Sequence, residues 1–258
     1  MSSCDRGTEP MNSKIITVTI QKGGVAKTTT AAVLAQAAIF RGFRVLAVDL
    51  DPQGNFSQAL NVRGNVGQNA SVFLRRTRPA EQIPMKSPQG MDVIPAAWDL
   101  STLKQSAGSA RRLSAALEPI RGNYDLIIID TPSSGELQYN ALQASTGLLI
   151  PLQADAFNLQ SFYQITDIAK QFKRTNPDLT ISGAIMTRFD GRTKHSRQVR
   201  DIIRKQVQAE GIPYLGEIRQ CIAVQEATTL QKSLYAYASR STAAGDYLRV
   251  LDNIMKGS

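Results

Sequence analysis

The chain has 258 residues, a formal net charge of +9 and two cysteines, Cys4 and Cys221. That length suits one large α/β domain better than two small ones. No apolar run approaches the roughly 20 residues of a membrane span, and two distant cysteines give neither a disulfide framework nor a metal spacing.

Residues 1–13 read as a flexible extension, with Met11 a candidate natural start, and residues 14–258 as a single domain. The first ten residues hold Cys4, Asp5, Arg6 and Glu9 and no hydrophobic stretch, so they are not a secretory signal. A reduced cytoplasm is the simplest compartment. An apolar strand over 15–20 then runs into Lys22-Gly23-Gly24-Val25-Ala26-Lys27-Thr28-Thr29, and a helix-like run follows over 28–40. A strand, a glycine-containing loop ending in Lys-Thr, and a helix together make a phosphate cradle, in which loop N–H groups and the positive helix end face the anion. Lys27 is placed to reach the β- and γ-phosphates, and the Thr28 hydroxyl to ligate Mg²⁺. The standard pattern wants glycine at Gln21 and Ala26, and this chain adds a second lysine, Lys22. A methyl at Ala26 requires a backbone conformation open to L-residues.

The second strand, 44–50, leads into Asp49-Leu50-Asp51-Pro52-Gln53-Gly54-Asn55. Segment 61–90 is rich in Gly, Pro, Arg and Ser and reads as loop with short helices. It contains Arg75, Arg76 and Arg78, a cluster that reads as solvated. A strand at 91–95, a helix over 101–120, and a strand at 126–130 ending in Asp130 come next, followed by Thr131-Pro132-Ser133-Ser134-Gly135. Further strands fall at 148–152, 181–186 and 214–218, and helices at 159–173, 196–209 and 242–255. Near-continuous apolar strands alternating with helices indicate a doubly wound, mostly parallel sheet covered on both faces. The acids after the strands at 44–50 and 126–130 lie where ligands gather in such sheets. Asp130 reads as the acid that holds Mg²⁺ through water.

The loop resembles the deviant Walker A motif of the ParA/Soj/MinD superfamily, K-G-G-x-x-K-[ST]-T. The resemblance runs from Lys14 to Met255 and implies a P-loop ATPase that binds ATP and Mg²⁺, with Lys22 to Thr29 on the phosphates. It implies that Lys22 reaches across a dimer interface to the partner's nucleotide. It matches Asp51 to an acid that positions the attacking water, within D-x-D-P-Q-x-N. Asp49 would support Mg²⁺ or the loop, and the division of roles between Asp49 and Asp51 rests on the resemblance. Lys22, Lys27 and Asp51 are thus the catalytic candidates, and Thr28, Asp49, Asp51 and Asp130 the metal candidates. Residues 130–135 resemble the family's second switch, with Ser133 for the usual proline. Gln153-Ala154-Asp155 resembles its Q-x-E, with Asp for Glu.

Between residues 188 and 205 stand seven basic residues and two acids. At helical spacing Lys194, Arg197, Arg200 and Arg204 share one face, and Val199, Ile202, Ile203 and Val207 the opposite one. Such a stripe suits phosphate backbones without reading sequence. With Arg188, Arg192 and Arg219 these residues are the DNA-binding candidates. In the family's second basic patch, I-P-R-N-V-R-x-S-E-A, Gln220 and Ala223 stand here for arginines, with Arg219 nearby. His195 reads as a surface residue.

The function implied is a partitioning ATPase: an ATP-dependent homodimer that binds double-stranded DNA non-specifically and is released when a ParB-like activator stimulates slow hydrolysis. It would be cytoplasmic and nucleoid-associated. Only 21 residues precede Lys22, which argues against a sequence-specific repressor arm. The alternatives are a MinD-like membrane switch or a positioning ATPase for a protein cargo. A membrane switch needs a basic amphipathic C-terminal helix, whereas Tyr247, Leu248, Leu251 and Ile254 read as core. An iron–sulfur reductase on this scaffold fails on cysteine count.

Overall fold

The structure, a computed structural model, describes residues 13–103, 108–155 and 158–256. Residues 1–12, which cover most of the expected extension and Cys4, lie outside the described residues. In chain order the elements are β1 (Lys14–Val18), α1 (Lys27–Phe40), β2 (Val45–Asp49), α2 (Asn55–Ala59), α3 (Ala70–Arg75), β3 (Met85–Lys86), β4 (Asp92–Ile94), α4 (Arg112–Leu117), β5 (Leu126–Asp130), α5 (Glu136–Ala144), β6 (Gly147–Leu152), α6 (Asn158–Phe172), β7 (Thr180–Phe189), α7 (Lys194–Ala209), β8 (Tyr214–Arg219), α8 (Ile222–Thr229), α9 (Leu234–Ala238) and α10 (Thr242–Lys256).

The strands form one eight-stranded sheet in the order β3-β4-β2-β5-β1-β6-β7-β8. Every neighbouring pair is parallel except β3 with β4. The expected α/β fold is therefore present, doubly wound and mostly parallel. From β1 the chain winds first toward β2 and later toward β6, so the direction of winding reverses at β1. A crevice opens at the carboxyl ends of strands at such a reversal.

Alternation along the strands builds two apolar layers. Leu126 and Ile128 of β5 pack with α1 and α10, while Ile127 and Ile129 pack with Leu113 and Ala116 of α4. Leu148, Ile150 and Leu152 of β6 meet Phe162 and Ile165 of α6. Truncating one of these fully buried side chains to Ala would cost about 2–5 kcal/mol. Tyr247, Val250, Leu251 and Ile254 of α10 are buried in the same core as α1.

Several expectations need correction. The stretch 101–120 is not one helix: it holds 3-10 turns at Trp98–Thr102 and Ser109–Arg111 and then α4, with residues 104–107 outside the described residues. On α7, Ile203 and Val207 are buried, but Ile202 is 52% exposed, so the apolar face is narrower than the spacing suggested. α5, α8 and α9 were not expected. Their sequences, Glu136–Ala144 above all, mix polar and apolar residues with little helical period, and tertiary packing decides their state.

Candidate functional site

The loop after β1 crosses the crevice and enters α1 through Ala26. Ala26 sits at φ 62, ψ 33, in the left-handed region, and gives no side-chain cap. No acid lies in the first turn of α1. Its leading N–H groups and positive end therefore remain available to an anion. Gly24 has φ +78, and a Cβ there or at Gly23 would meet nothing within 4 Å. The loop is open on the side where a phosphate would lie.

Lys27 is buried, and its Nζ donates to the Lys22 carbonyl at 2.8 Å and to Ser133 Oγ at 2.8 Å. It thus bridges the loop to the segment after β5. Burial lowers its pKa, while Asp130 and Asp51 push back. Thr28 Oγ1 donates to Asp130 Oδ2 at 2.7 Å. Asp130 ends β5, is fully buried, and its Oδ1 accepts no hydrogen bond among the described residues. Burial raises its pKa well above the ordinary carboxylate range, and Asp49 adds to the rise.

Asp49 lies beside Asp130 in the β2–β5 register. Its Oδ2 accepts from the Ser57 N–H at 2.8 Å and hydroxyl at 2.6 Å, and its Oδ1 from the Asp51 N–H at 3.1 Å. Burial raises its pKa to about 6 despite those donors. Both oxygens of Asp49 are thus engaged in holding the loop and α2. β2 stops at Asp49, so Asp51 lies in the loop beyond, partly exposed, with Oδ1 accepting from the Gln53 N–H at 3.0 Å.

Three carboxylates and one buried lysine leave this corner short of positive charge. The orphaned Asp130 oxygen beside the Thr28 hydroxyl suits a hard, oxygen-seeking cation such as Mg²⁺. The open loop and uncapped helix end suit the phosphates that Mg²⁺ accompanies. The residues present fit both groups.

Lys22 does not face this corner. Its Nζ is 2.7 Å from Asp155 Oδ2, in a partly exposed pair. Gln153 Nε2 donates to the Gly24 carbonyl at 3.0 Å, so the segment after β6 holds the loop at two points. Thr187 Oγ1, at the end of β7, lies 3.1 Å from the Val25 carbonyl. Ala26 and Thr29 line a cavity of about 360 Å³ together with Thr187, Arg188, Arg219 and Tyr247. Neither the Ser133 contact nor the Tyr247 wall had a motif to announce it; Ser133 stood out only as a departure.

The basic residues divide by location. Lys194, Arg197, Arg204 and Lys205 are exposed on α7. Arg197 donates to the Gly191 and Arg192 carbonyls, which ties the helix to the preceding loop. Arg192 pairs with Asp190 at 2.7 Å. Arg200 pairs with Asp201 at 2.8 Å and lies 5.4 Å over the Phe189 ring. Arg204 lies 5.9 Å over Tyr214. Arg188, at φ 50, lines the cavity. Arg219 is on β8, with its guanidinium on Asp246. Neither Arg188, on β7, nor Arg219, on β8, is on α7 itself.

The family described as an AAA domain matches residues 13–181. The sporulation initiation inhibitor protein Soj of Bacillus subtilis is 35% identical over 243 residues, 91% of this chain and 95% of the relative. The chromosome partitioning protein ParA of Myxococcus xanthus is 34% identical over 257 residues, 94% of this chain and 88% of the relative. Among solved structures, cobyrinic acid a,c-diamide synthase from Mycobacterium smegmatis, with bound ATP analog and magnesium, superposes with a TM-score of 0.79 at 31% identity, covering 93% of both chains.

Proposed function

The chain belongs to the ParA/Soj family of partitioning ATPases, and from that membership we propose that it is an ATP-switched homodimer that carries a DNA cargo. The observation that carries the reading is the convergence of Lys27, Thr28, Asp51 and Asp130 at the carboxyl ends of adjoining strands, under an uncapped helix start.

Residues 22–29 wrap the phosphates of ATP, and Lys27 neutralises charge on them. Thr28 would hold Mg²⁺, with Asp130 acting through water, and the ion would supply charge to offset the phosphates. Asp49 keeps the loop after β2 in place, and Asp51 orients the attacking water. Lys22 serves the nucleotide of the partner subunit, so two chains must meet for each site to be complete. Intrinsic hydrolysis is accordingly slow, and a ParB-like activator accelerates it and releases the dimer.

The DNA contact is the basic side of α7. Its first turn holds Lys194 and Arg197 and no acid. Cations at the positive end of a helix dipole are unfavourable for the helix alone. An anion brought there would be held by the helix end and the cations together. Arg192, Arg200 and Arg204 flank that contact. Since such contacts reach phosphate only, binding is sequence-tolerant. No helix among the described residues is long and apolar enough to cross a membrane. The apolar side of α10 is already buried on α1 and the sheet. The setting we propose is the cytoplasm, on the nucleoid.

Mass by light scattering with ATP and with ADP, alongside phosphate release, tests the reading. A dimer confined to ATP, with turnover that rises with protein concentration, is the expected result. A monomer in both states with unchanged turnover would contradict it.

A further inference from the structure

Arg219 is held more firmly than a phosphate-seeking surface arginine needs to be. Its backbone N–H donates to Asp246 Oδ2 at 3.0 Å, its Nε to the same oxygen at 2.9 Å, and its terminal nitrogen to Oδ1 at 2.7 Å. The Asp246 side chain is 1% exposed, while that of Arg219 stays 50% exposed. A second cation, Arg249, also reaches Asp246. A buried carboxylate is costly unless it is paired with good geometry, and here the two-point pairing fixes the guanidinium plane. With its inner edge bound and its charge offset, what Arg219 offers to the outside is a flat, weakly hydrated face.

That residue lines the cavity of about 360 Å³ that starts at Ala26 and Thr29. The cavity size is that of a small-molecule site, and its near end adjoins the phosphate loop. Tyr247, the neighbour of Asp246 on α10, forms another wall and lies 3.4 Å from the Thr30 hydroxyl through its own. One turn of α10 therefore supports the cavity twice, through Tyr247 directly and through Asp246 by way of Arg219.

We propose that Arg219, with its plane fixed by Asp246, is the residue on which the base of a bound purine nucleotide stacks. Asp246 is a positioning residue in this account. The inference rests on the reading of the loop as an ATP site. It also reassigns Arg219 from the DNA contact to the nucleotide.

Equilibrium binding of ADP and of inorganic tripolyphosphate, which has no base, separates this role from its rivals. Arg219→Lys keeps the charge and loses the plane. It should weaken ADP binding by about tenfold, the scale of a cation–π contact, and leave tripolyphosphate affinity unchanged. Asp246→Asn should reproduce that pattern. Thermal melting identifies any variant that fails to fold, in which case Arg219→Gln replaces it. Equal losses for both ligands would make Arg219 a simple charge, and unchanged ADP affinity would make its pairing purely structural; either result overturns the inference while the ATP reading stands. A parent protein that binds neither ligand would overturn the ATP reading and this inference with it.

Discussion

Lys22 and Asp155 form a 2.7 Å ion pair inside one chain. A lysine that serves a partner's nucleotide has to leave that pair first. Both side chains are partly exposed, 26% and 42%, and pairs of that kind contribute about 0–1 kcal/mol. The pair is weak enough to open when a better anion arrives. Two such pairs open per dimer, so Asp155→Asn should let the ATP-bound dimer form at protein concentrations lower by no more than about thirtyfold, the equivalent of twice that energy. Sedimentation velocity across a dilution series would measure it, and weaker dimerisation would contradict the latch. Lys22→Ala should leave ATP binding intact and lower turnover by at least about a hundredfold, given what a cation supplied in trans contributes to phosphoryl transfer. Unchanged turnover would remove Lys22 from the chemistry.

The acid corner gives a prediction about stability. Burial raises Asp49 to about 6 and Asp130 well above the ordinary range. A carboxyl that holds its proton more tightly when folded than when unfolded makes the folded state lose ground as pH climbs from near 4 through the folded pKa. Without metal or nucleotide, Asp130→Asn should therefore be more stable than the parent, by a margin that widens between pH 5 and pH 8. The same variant should lose the extra stability that ATP with Mg²⁺ confers. Melting temperatures in EDTA and in MgATP give both readings. A variant less stable than the parent in EDTA at pH 8 would show that Asp130 is not an uncompensated charge.

Ala26 occupies the left-handed region at φ 62, where a methyl costs about 1 kcal/mol or more relative to glycine. Ala26→Gly should raise the melting temperature by about 2 °C, given how stability scales with chain length, without weakening ADP binding. A fall in melting temperature would mean that the loop tolerates the methyl without strain.

Much of this was legible in the chain. The parallel sheet could be read because β2, β5 and β6 are buried on both faces and therefore nearly all apolar. The phosphate loop was legible because Lys27 and Thr28 stand at fixed offsets from a strand and a helix. What could not be read depends on pairings between distant residues. The resemblance left Asp49 to support Mg²⁺ or the loop, and nothing local names its partner Ser57, which is set by the turn into α2. Nor does anything local to Arg219 foretell Asp246, which is 27 positions away. Helical spacing placed Ile202 in the core, but only the packing of α7 against the sheet decides where its apolar face ends.

On α7, charge reversal of Lys194 and Arg197 to Glu should lower affinity for duplex DNA by more than about tenfold. It should also flatten the salt dependence by about one unit for each DNA phosphate that is no longer neutralised. ATP binding should be unaffected. With MgATP at saturation, the reversal of Arg219 should change DNA affinity much less. Fluorescence anisotropy at several salt concentrations would separate the two, and equal effects would extend the DNA face to β8.

The most direct test of the account is binding of the parent protein to random-sequence duplex DNA at about 100 mM salt, where protein–phosphate ion pairs still hold, with MgATP, with MgADP and with no nucleotide. The account predicts tight binding with MgATP alone. Equal binding in all three states, or none in any, would contradict an ATP-gated DNA-binding dimer.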